Sequence, residues 1–335
     1  MVAVAAIMVA YFLIAATMTP RAVGVSGMAM TSARAMATVE VTSGRLLYSK
    51  NADARVPMAS TTKIVTAITV LEHVDDIDTV VAVHPRAIGI EGTSIYIQRG
   101  EKLTVRELLL GLMLRSGNDC ASALAWHVGG SIEKFAAMMN DVSRKAGARN
   151  SNWVNPHGLD AEGHLTTAHD LALISAYAMR NPTFAEIVAT KEARITGVDM
   201  PRVLLNKNRL LRSNEDIVGV KTGFTSKAGR CFVGALNDNG MTVVCVVLNC
   251  GPMFPESESI MERAVDEFYM HKILSRDEVI IDRGGRRGMV ADDFLYPLRN
   301  GEVDSVRVEL GQSEVLVTRA DQLIHRAKYL VLAED

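Results

Sequence analysis

The stretch PMASTTKIVTA, from Pro57 to Ala67, places Ser60 three residues before Lys63. Residues three apart are neighbours on a helix, so both side chains would lie on one face of its first turn. A serine hydroxyl is a weak nucleophile until a base takes its proton. A lysine serves as that base only when burial or nearby cations lower its pKa. The simpler alternative is a helix start in which the serine is only an N-cap.

Apolar residues cover nearly the whole circumference of the helix that follows Thr61. The apolar set is Ile64, Val65, Ala67, Ile68, Val70, Leu71 and Val74. A surface helix keeps one polar face, so this pattern predicts a central, buried helix. Lys63 then lies among apolar neighbours, where an ammonium group is costly unless it is neutralised or paired. This setting favours the catalytic interpretation.

A second Ser-x-x-Lys pair, Ser131 and Lys134, shows how common the pattern is. About one match is expected by chance in a chain of this composition. Ser131 follows Gly129-Gly130, a sequence typical of a helix boundary. We therefore interpret Ser131 as an N-cap.

Two further short motifs follow in the chain. SGN at Ser116–Asn118 lies between two helical segments, and KTG at Lys221–Gly223 ends a strand-like run. Each motif alone is compatible with a loop or a strand end. Taken in order, SxxK, SxN and KTG resemble the three-part signature of penicillin-binding proteins and β-lactamases, which form an acyl-enzyme on serine.

Longer stretches of sequence show which of these proteins the chain resembles most. The chain is similar to the low-molecular-mass penicillin-binding proteins, the serine-type D-alanyl-D-alanine carboxypeptidases, over most of residues 38–274. The stretches that carry this similarity are PMASTTKIVTA, AIGIEGTSIYIQRGEKLTVRELLLGLMLRSGNDCASALA, NPHGLD, HLTTAHDLA and VGVKTGFTSKAGRCFVGAL. The similarity implies peptidoglycan stem peptides ending in D-Ala-D-Ala as substrates, β-lactam antibiotics as inhibitors, and no metal or other cofactor.

The resemblance implies a catalytic role for each residue of the first two motifs. Ser60 attacks the carbonyl between the two terminal D-alanines and becomes acylated, and Lys63 receives its proton. Ser116 relays a proton to the departing D-alanine. Asn118 donates an amide N–H to the peptide carbonyl of the substrate and holds it in line.

The third motif is expected to bind the substrate. Lys221 supplies positive charge that lowers the pKa of Lys63 and attracts the terminal carboxylate, to which Thr222 donates a hydrogen bond. Gly223 lets the substrate lie beside the strand without obstruction. By resemblance, the backbone N–H groups of Ser60 and Phe224 form the oxyanion hole.

The order of the patterns predicts an α+β fold. A strand hairpin, then helices, then strands and a helix suggest an antiparallel sheet flanked by helices, with a helical lobe. This is the β-lactamase/transpeptidase-like arrangement. We expect residues 1–37 to be a signal peptide or N-terminal membrane anchor, residues 38–274 the catalytic domain, and residues 275–335 a small β-rich domain.

Several local signals support these elements. Thr104 with Glu107 predicts a capping box, and Thr167 with Asp170 predicts another helix start. Asn239-Gly240 predicts a tight hairpin between two strands. Residues 258–274 are predicted to form one helix.

The first 18 residues carry no charge. This length suits a signal-peptide core or a short membrane span, and small-x-small cleavage sites follow at Ala33–Ala35 and Ala35–Ala37. Arg21 and Arg34 follow the apolar run, although a signal peptide carries its charge in front. A buried N-terminal helix is the alternative. The preferred prediction is an extracytoplasmic protein, secreted or attached to the membrane through this segment.

Composition excludes other classes of protein. With 48% hydrophobic and 22% charged residues and a net charge of -2, the chain is an ordinary globular protein with no basic run for nucleic acid. Its four cysteines form no metal-ligand spacing. Cys231 and Cys245 lie in strand-like runs, where buried free thiols are expected, and a disulfide is the alternative.

Two departures from the family pattern stand out. Cys120 replaces the alanine expected after SGND. CGPMFPES, from Cys250 to Ser257, contains no arginine to help bind the substrate carboxylate.

Other functions remain open. A fast serine β-lactamase commonly carries Glu-x-x-x-Asn, and Glu162, Glu186 and Glu192 lack that context. A DD-endopeptidase and a non-catalytic penicillin- or cell-wall-binding module are the further alternatives.

Overall fold

The structure, a computed structural model, describes residues 25–26, 31–196, 201–281 and 286–331. The uncharged N-terminal segment lies outside them. The helices are α1 (Lys63–His73), α2 (Val105–Leu110), α3 (Asn118–Gly129), α4 (Ile132–Lys145), α5 (Ala168–Met179), α6 (Pro182–Ala189), α7 (Leu210–Ser213) and α8 (Met253–Glu267). The strands are β1 (Val25–Ser26), β2 (Ala35–Glu40), β3 (Leu46–Lys50), β4 (Val80–Ala82), β5 (Lys102–Thr104), β6 (Glu192–Ile195), β7 (Arg202–Leu205), β8 (Ile217–Thr225), β9 (Gly229–Asp238), β10 (Met241–Leu248), β11 (Phe268–Leu274), β12 (Val279–Ile281), β13 (Arg287–Val290), β14 (Phe294–Arg299), β15 (Val306–Leu310), β16 (Glu314–Arg319) and β17 (Gln322–Val331).

Six strands form the central sheet, in the order β1-β3-β2-β10-β9-β8. All neighbours are antiparallel except β1 and β3. Alternate residues of β10 enter two cores, Val244 and Val246 on one face and Cys245 and Val247 on the other. A strand buried on both faces needs a continuous apolar run, which explains the sequence of β10. β8 is last in the order, so its outer side has no strand neighbour among the described residues.

Helices cover both faces of this sheet. α1 lies in the larger core, and every residue from Lys63 to Val70 is buried, as the apolar pattern predicts. α8 packs on the opposite face through Ile260 and Met261. The predicted α+β fold, with an antiparallel sheet, flanking helices and a helical lobe, is confirmed.

The local signals are also confirmed. Thr104 and Glu107 form the capping box of α2, and the Thr167 side chain caps α5. Met241 follows Asn239-Gly240 directly, and β9 and β10 pair around that turn. Ser131 accepts a hydrogen bond from the backbone N–H of Lys134 and is the N-cap of α4, as interpreted from the sequence.

The predicted helix over residues 258–274 is wrong in its second half. α8 ends at Glu267, and Phe268 begins β11, which pairs with β14. Phe268 packs edge-on against Tyr48, and the guanidinium of Arg299 lies 4.5 Å from its ring centre. These contacts come from distant parts of the chain, so pairing with β14 overrides the local helical pattern.

A separate, mostly β domain ends the chain. Its main sheet has the order β12-β13-β17-β16-β15 around a small core of Leu274, Val290, Leu310, Val315 and Val317. Arg45, in the β2–β3 turn, forms an ion pair with Glu302 at 2.8 Å and donates to the carbonyl of Pro297. This buried arginine joins the two domains. The limits at residues 38–274 and 275–335 stay a proposal.

All four cysteines are buried and free, so the alternative of a disulfide is wrong. Burial raises the pKa of the Cys231 thiol to about 11 and that of Cys245 to about 12. Within the described ranges, no helix combines the length and apolar character needed to cross a bilayer.

Candidate active site

Ser60 lies in a short 3-10 turn, Ala59–Thr62, immediately before α1. Neither this turn nor α1 has a side-chain cap at its N-terminus, so the capping alternative for Ser60 is wrong. Its hydroxyl instead accepts a hydrogen bond from Lys63 Nζ at 3.0 Å. Ala59 holds a left-handed backbone, with φ of 51°, a conformation unusual for alanine that often marks functional sites.

Lys63 is fully buried and has two further partners. Its Nζ donates to Asn118 Oδ1 at 2.7 Å and to the backbone carbonyl of His157 at 2.6 Å. Burial is the main cause that lowers the pKa of Lys63, to about 7; the charge of Lys207 acts in the same direction, while nearby Cys120 and Asp119 oppose the shift. Near neutral pH the amine is therefore partly deprotonated, as a general base requires.

The loop residues of the second motif are held by their surroundings. Ser116 follows a π-helical turn, Gly111–Arg115, and has a left-handed backbone with φ of 69°. The Asn118 amide is oriented by its neighbours, because the carbonyl of Glu91 can only accept and a protonated Lys63 can only donate. Asn118 Nδ2 donates to that carbonyl at 2.6 Å, which leaves one amide N–H for a ligand.

The third motif lies on edge strand β8. Lys221 is buried and donates to the carbonyl of Thr222 at 2.9 Å. Burial, together with the charges of Lys63 and Lys207, holds the pKa of Lys221 well below its usual value. A Cβ on Gly223 would come within 3.1 Å of Ser60 N, so only glycine lets β8 approach the turn this closely.

These elements enclose a pocket of about 610 Å³. Five of the predicted residues line it, namely Ser60, Ser116, Thr222, Gly223 and Phe224. The other three, Lys63, Asn118 and Lys221, are buried behind that surface. No acidic side chain is part of the lining that the described residues provide.

Sequence reasoning missed several groups. Lys207, Arg230 and Phe254 line the pocket, and the His157 carbonyl accepts from Lys63. None of the three belongs to SxxK, SxN or KTG, although Arg230 lies within the stretch VGVKTGFTSKAGRCFVGAL. His157 lies within NPHGLD, one of the stretches that carry the family resemblance, but the resemblance gives the His157 carbonyl no role.

Gly158→Ala is expected to cost much of the activity. Gly158 has φ of 89°, and a Cβ there would overlap the carbonyl of Ala59 and lie 3.0 Å from Ser60 N. Displacing the nucleophile by an ångström can cost roughly 100-fold in rate. The acylation rate with a fluorescent penicillin measures the loss.

Gly163→Ala is the matched control. Gly163 has a similar φ of 74°, but the atom nearest to a Cβ added there would be Asn152 Nδ2 at 3.5 Å. This variant therefore adds the same backbone strain without pressing on Ser60. Equal losses in both variants would contradict the steric explanation.

The comparisons with known proteins agree with this geometry. The D-alanyl-D-alanine carboxypeptidase family (peptidase S11) matches residues 22–251. D-alanyl-D-alanine carboxypeptidase DacC of Escherichia coli is 32% identical over 295 residues, 84% of this chain and 72% of the relative. DacB2 of Mycobacterium tuberculosis is 35% identical over 62% of this chain and 72% of the relative. DacF of Bacillus subtilis is 29% identical over 74% of this chain, and the match spans 66% of that protein's length.

Solved structures show the same fold. Penicillin-binding protein 5 from Haemophilus influenzae has a TM-score of 0.78 over 91% of this chain and 97% of its own, at 24% identity. A variant of the Streptomyces K15 DD-transpeptidase has a TM-score of 0.65 over 70% of this chain and 97% of its own, at 32% identity. The first likeness extends through the C-terminal domain. The chain belongs to the D-alanyl-D-alanine carboxypeptidase family of serine peptidases.

Proposed function

We propose that this chain removes the terminal D-alanine from peptidoglycan stem peptides through an acyl-enzyme on Ser60. The observation that carries the proposal is the contact of 3.0 Å between Ser60 Oγ and Lys63 Nζ, with a lysine pKa of about 7, beside an open pocket. A serine and a partly neutral lysine in hydrogen-bond contact form an activated nucleophile.

During acylation one proton passes from Ser60 to Lys63 and then to the leaving amine. Ser60 Oγ attacks the carbonyl carbon of the penultimate D-alanine while Lys63 takes the hydroxyl proton. The negative oxygen that develops is stabilised by the backbone N–H groups of Ser60 and Phe224. The C–N bond then breaks, and the leaving amine receives a proton from Lys63 through Ser116. Water then attacks the ester carbonyl while Lys63 takes one of its protons. Lys63 returns that proton to Ser60 Oγ as the ester C–O bond breaks, which frees Ser60 and the shortened peptide acid.

Substrate binding uses the edge strand and its neighbours. An extended peptide can pair with the outer side of β8, which Gly223 allows to lie close to the Ser60 turn. Thr222 donates to the terminal carboxylate, and Lys221 in its protonated form adds positive charge. The free amide N–H of Asn118 donates to the substrate's peptide carbonyl. β-Lactams, which carry a strained amide and a carboxylate, would enter the same site and acylate Ser60.

We also propose an extracytoplasmic location on the cell-wall side, with membrane attachment or secretion through the N-terminal segment. The substrate supports this, because peptidoglycan lies outside the cytoplasmic membrane. The uncharged run of 18 residues supports it too.

Release of D-alanine from an acyl-D-Ala-D-Ala peptide, compared with nitrocefin turnover, tests the proposal. We expect D-alanine release, and slow nitrocefin turnover after one acylation, since the described residues place no carboxylate in the pocket lining to activate water. Rapid nitrocefin hydrolysis without D-alanine release would indicate a β-lactamase instead. Mass spectrometry of digested muropeptides separates carboxypeptidase from endopeptidase products.

A further inference from the structure

Arg230 lies beside the third motif, on the neighbouring strand. In the β8–β9 register it is opposite Phe224, while Thr222 is opposite Phe232. Residues two apart on a strand share a face, so Arg230 and Thr222 are diagonal neighbours on one side of the sheet. Such positions are about 7–8 Å apart, within reach of a long side chain. Both residues line the pocket.

The guanidinium of Arg230 is positioned but not neutralised. Its Nη1 donates to the carbonyl of Gly251 at 3.2 Å, and the residue is exposed. The described residues provide no carboxylate partner for it. Glu256, in the first turn of α8, instead accepts from Thr31 Oγ1 at 2.6 Å and Ser32 N at 2.8 Å.

The start of α8, just after the loop that follows β10, brings apolar groups to this end of the pocket. Met253 and Phe254 line it. Phe254 is fixed by the Phe232 ring, with centroids 5.0 Å apart, and by the Arg209 guanidinium, 4.6 Å from its ring centre. Residues 249–256, which form this loop and the start of α8, contain no lysine or arginine, and Arg230 reaches the pocket from the neighbouring strand β9.

We propose that Arg230 binds the terminal carboxylate of the substrate together with Thr222, and so makes the enzyme select peptides with a free C-terminus. The proposal rests on the proposed function. A guanidinium is planar and permanently charged, and it matches a carboxylate with two parallel hydrogen bonds. Among the described residues, the other exposed cation of the pocket lining is Lys207, whose Nζ lies 3.4 Å from Thr93 Oγ1. That cation is on the side of the second motif, since the Thr93 carbonyl accepts from Asn118 N at 2.7 Å.

Arg230→Gln tests the assignment with two substrates, an acyl-D-Ala-D-Ala peptide and the same peptide as its C-terminal amide. We expect kcat/KM for the acid to fall roughly 10- to 100-fold, because a charge-assisted hydrogen bond is lost, and kcat/KM for the amide to stay unchanged. Arg230→Lys should recover part of the loss. The carboxylate leaves with D-alanine, so the deacylation rate should also stay unchanged.

Two further variants act as controls. Lys227→Gln removes the same charge from the exposed β8–β9 turn, outside the pocket lining, and should leave both substrates unaffected. Lys207→Gln tests the competing cation. If Lys207→Gln abolishes the preference for the acid while Arg230→Gln retains it, the assignment is overturned. Equal losses on acid and amide in Arg230→Gln would overturn it as well.

The result also separates this proposal from the proposed function. Wild-type protein that releases no D-alanine refutes the function itself. The Arg230 proposal is then judged by acylation with benzylpenicillin against its methyl ester, where only the acid should depend on Arg230. Active wild-type protein with an unaffected Arg230→Gln variant refutes the Arg230 proposal alone.

Discussion

Ser60→Ala should abolish both covalent labelling by a fluorescent penicillin and release of D-alanine. Without the hydroxyl the site has no nucleophile, so no ester can form even though Lys63, Asn118 and the pocket are unchanged. Loss of a catalytic serine typically costs about 10⁴-fold or more in rate. Labelling followed by gel fluorescence, with intact-mass measurement of the adduct, detects even a small residual activity.

The second Ser-x-x-Lys pair provides the control. Ser131→Ala removes the N-cap of α4, whose hydroxyl accepts from Lys134 N at 3.2 Å. It should lower the free energy of unfolding by about 1 kcal/mol and leave labelling intact. An adduct at wild-type stoichiometry in Ser60→Ala would show that another residue is the nucleophile.

Lys63→Arg should lower the acylation rate by roughly 10²- to 10⁴-fold, the usual contribution of a general base. The variant keeps a positive charge and several donors, but a guanidinium stays charged and cannot take the proton of Ser60. In the wild type, acylation should rise with pH through about 7, because Lys63 is protonated and inactive below its pKa and becomes a base above it. That rise should disappear in the variant.

Lys134→Arg is the matched control, since it makes the same change in the second Ser-x-x-Lys pair, Ser131 and Lys134. It should leave the acylation rate and its pH dependence as they are. If Lys63→Arg keeps a wild-type rise near pH 7, a different group accepts the serine proton, and the assignment of Lys63 as base is wrong.

The elements that sequence predicted well are those set by their own residues. α1 follows from its apolar circumference, α2 from its capping box, and the β9–β10 hairpin from Asn239-Gly240. Each signal is local, so a short stretch of sequence contains it. The order of the three motifs then indicated the family, and the family resemblance indicated the fold.

The features that sequence missed depend on distant contacts. Phe268 leaves the helical pattern because β14, some 30 residues later, offers a pairing strand and Arg299. Lys207 and Arg230 become pocket residues only through packing, since neither belongs to SxxK, SxN or KTG. The His157 carbonyl reaches Lys63 from a loop 94 residues away, and a backbone group leaves no trace in side-chain patterns.

The three partners of Lys63 also decide the direction in which the neutral amine points. Asn118 Oδ1 and the His157 carbonyl can only accept hydrogen bonds, whereas the Ser60 hydroxyl can accept or donate. A protonated Lys63 satisfies all three with its three N–H groups. After it loses one proton, its two remaining N–H groups go to the two pure acceptors. The nitrogen lone pair then faces Ser60, so deprotonation alone aims the base at the nucleophile without any side-chain movement.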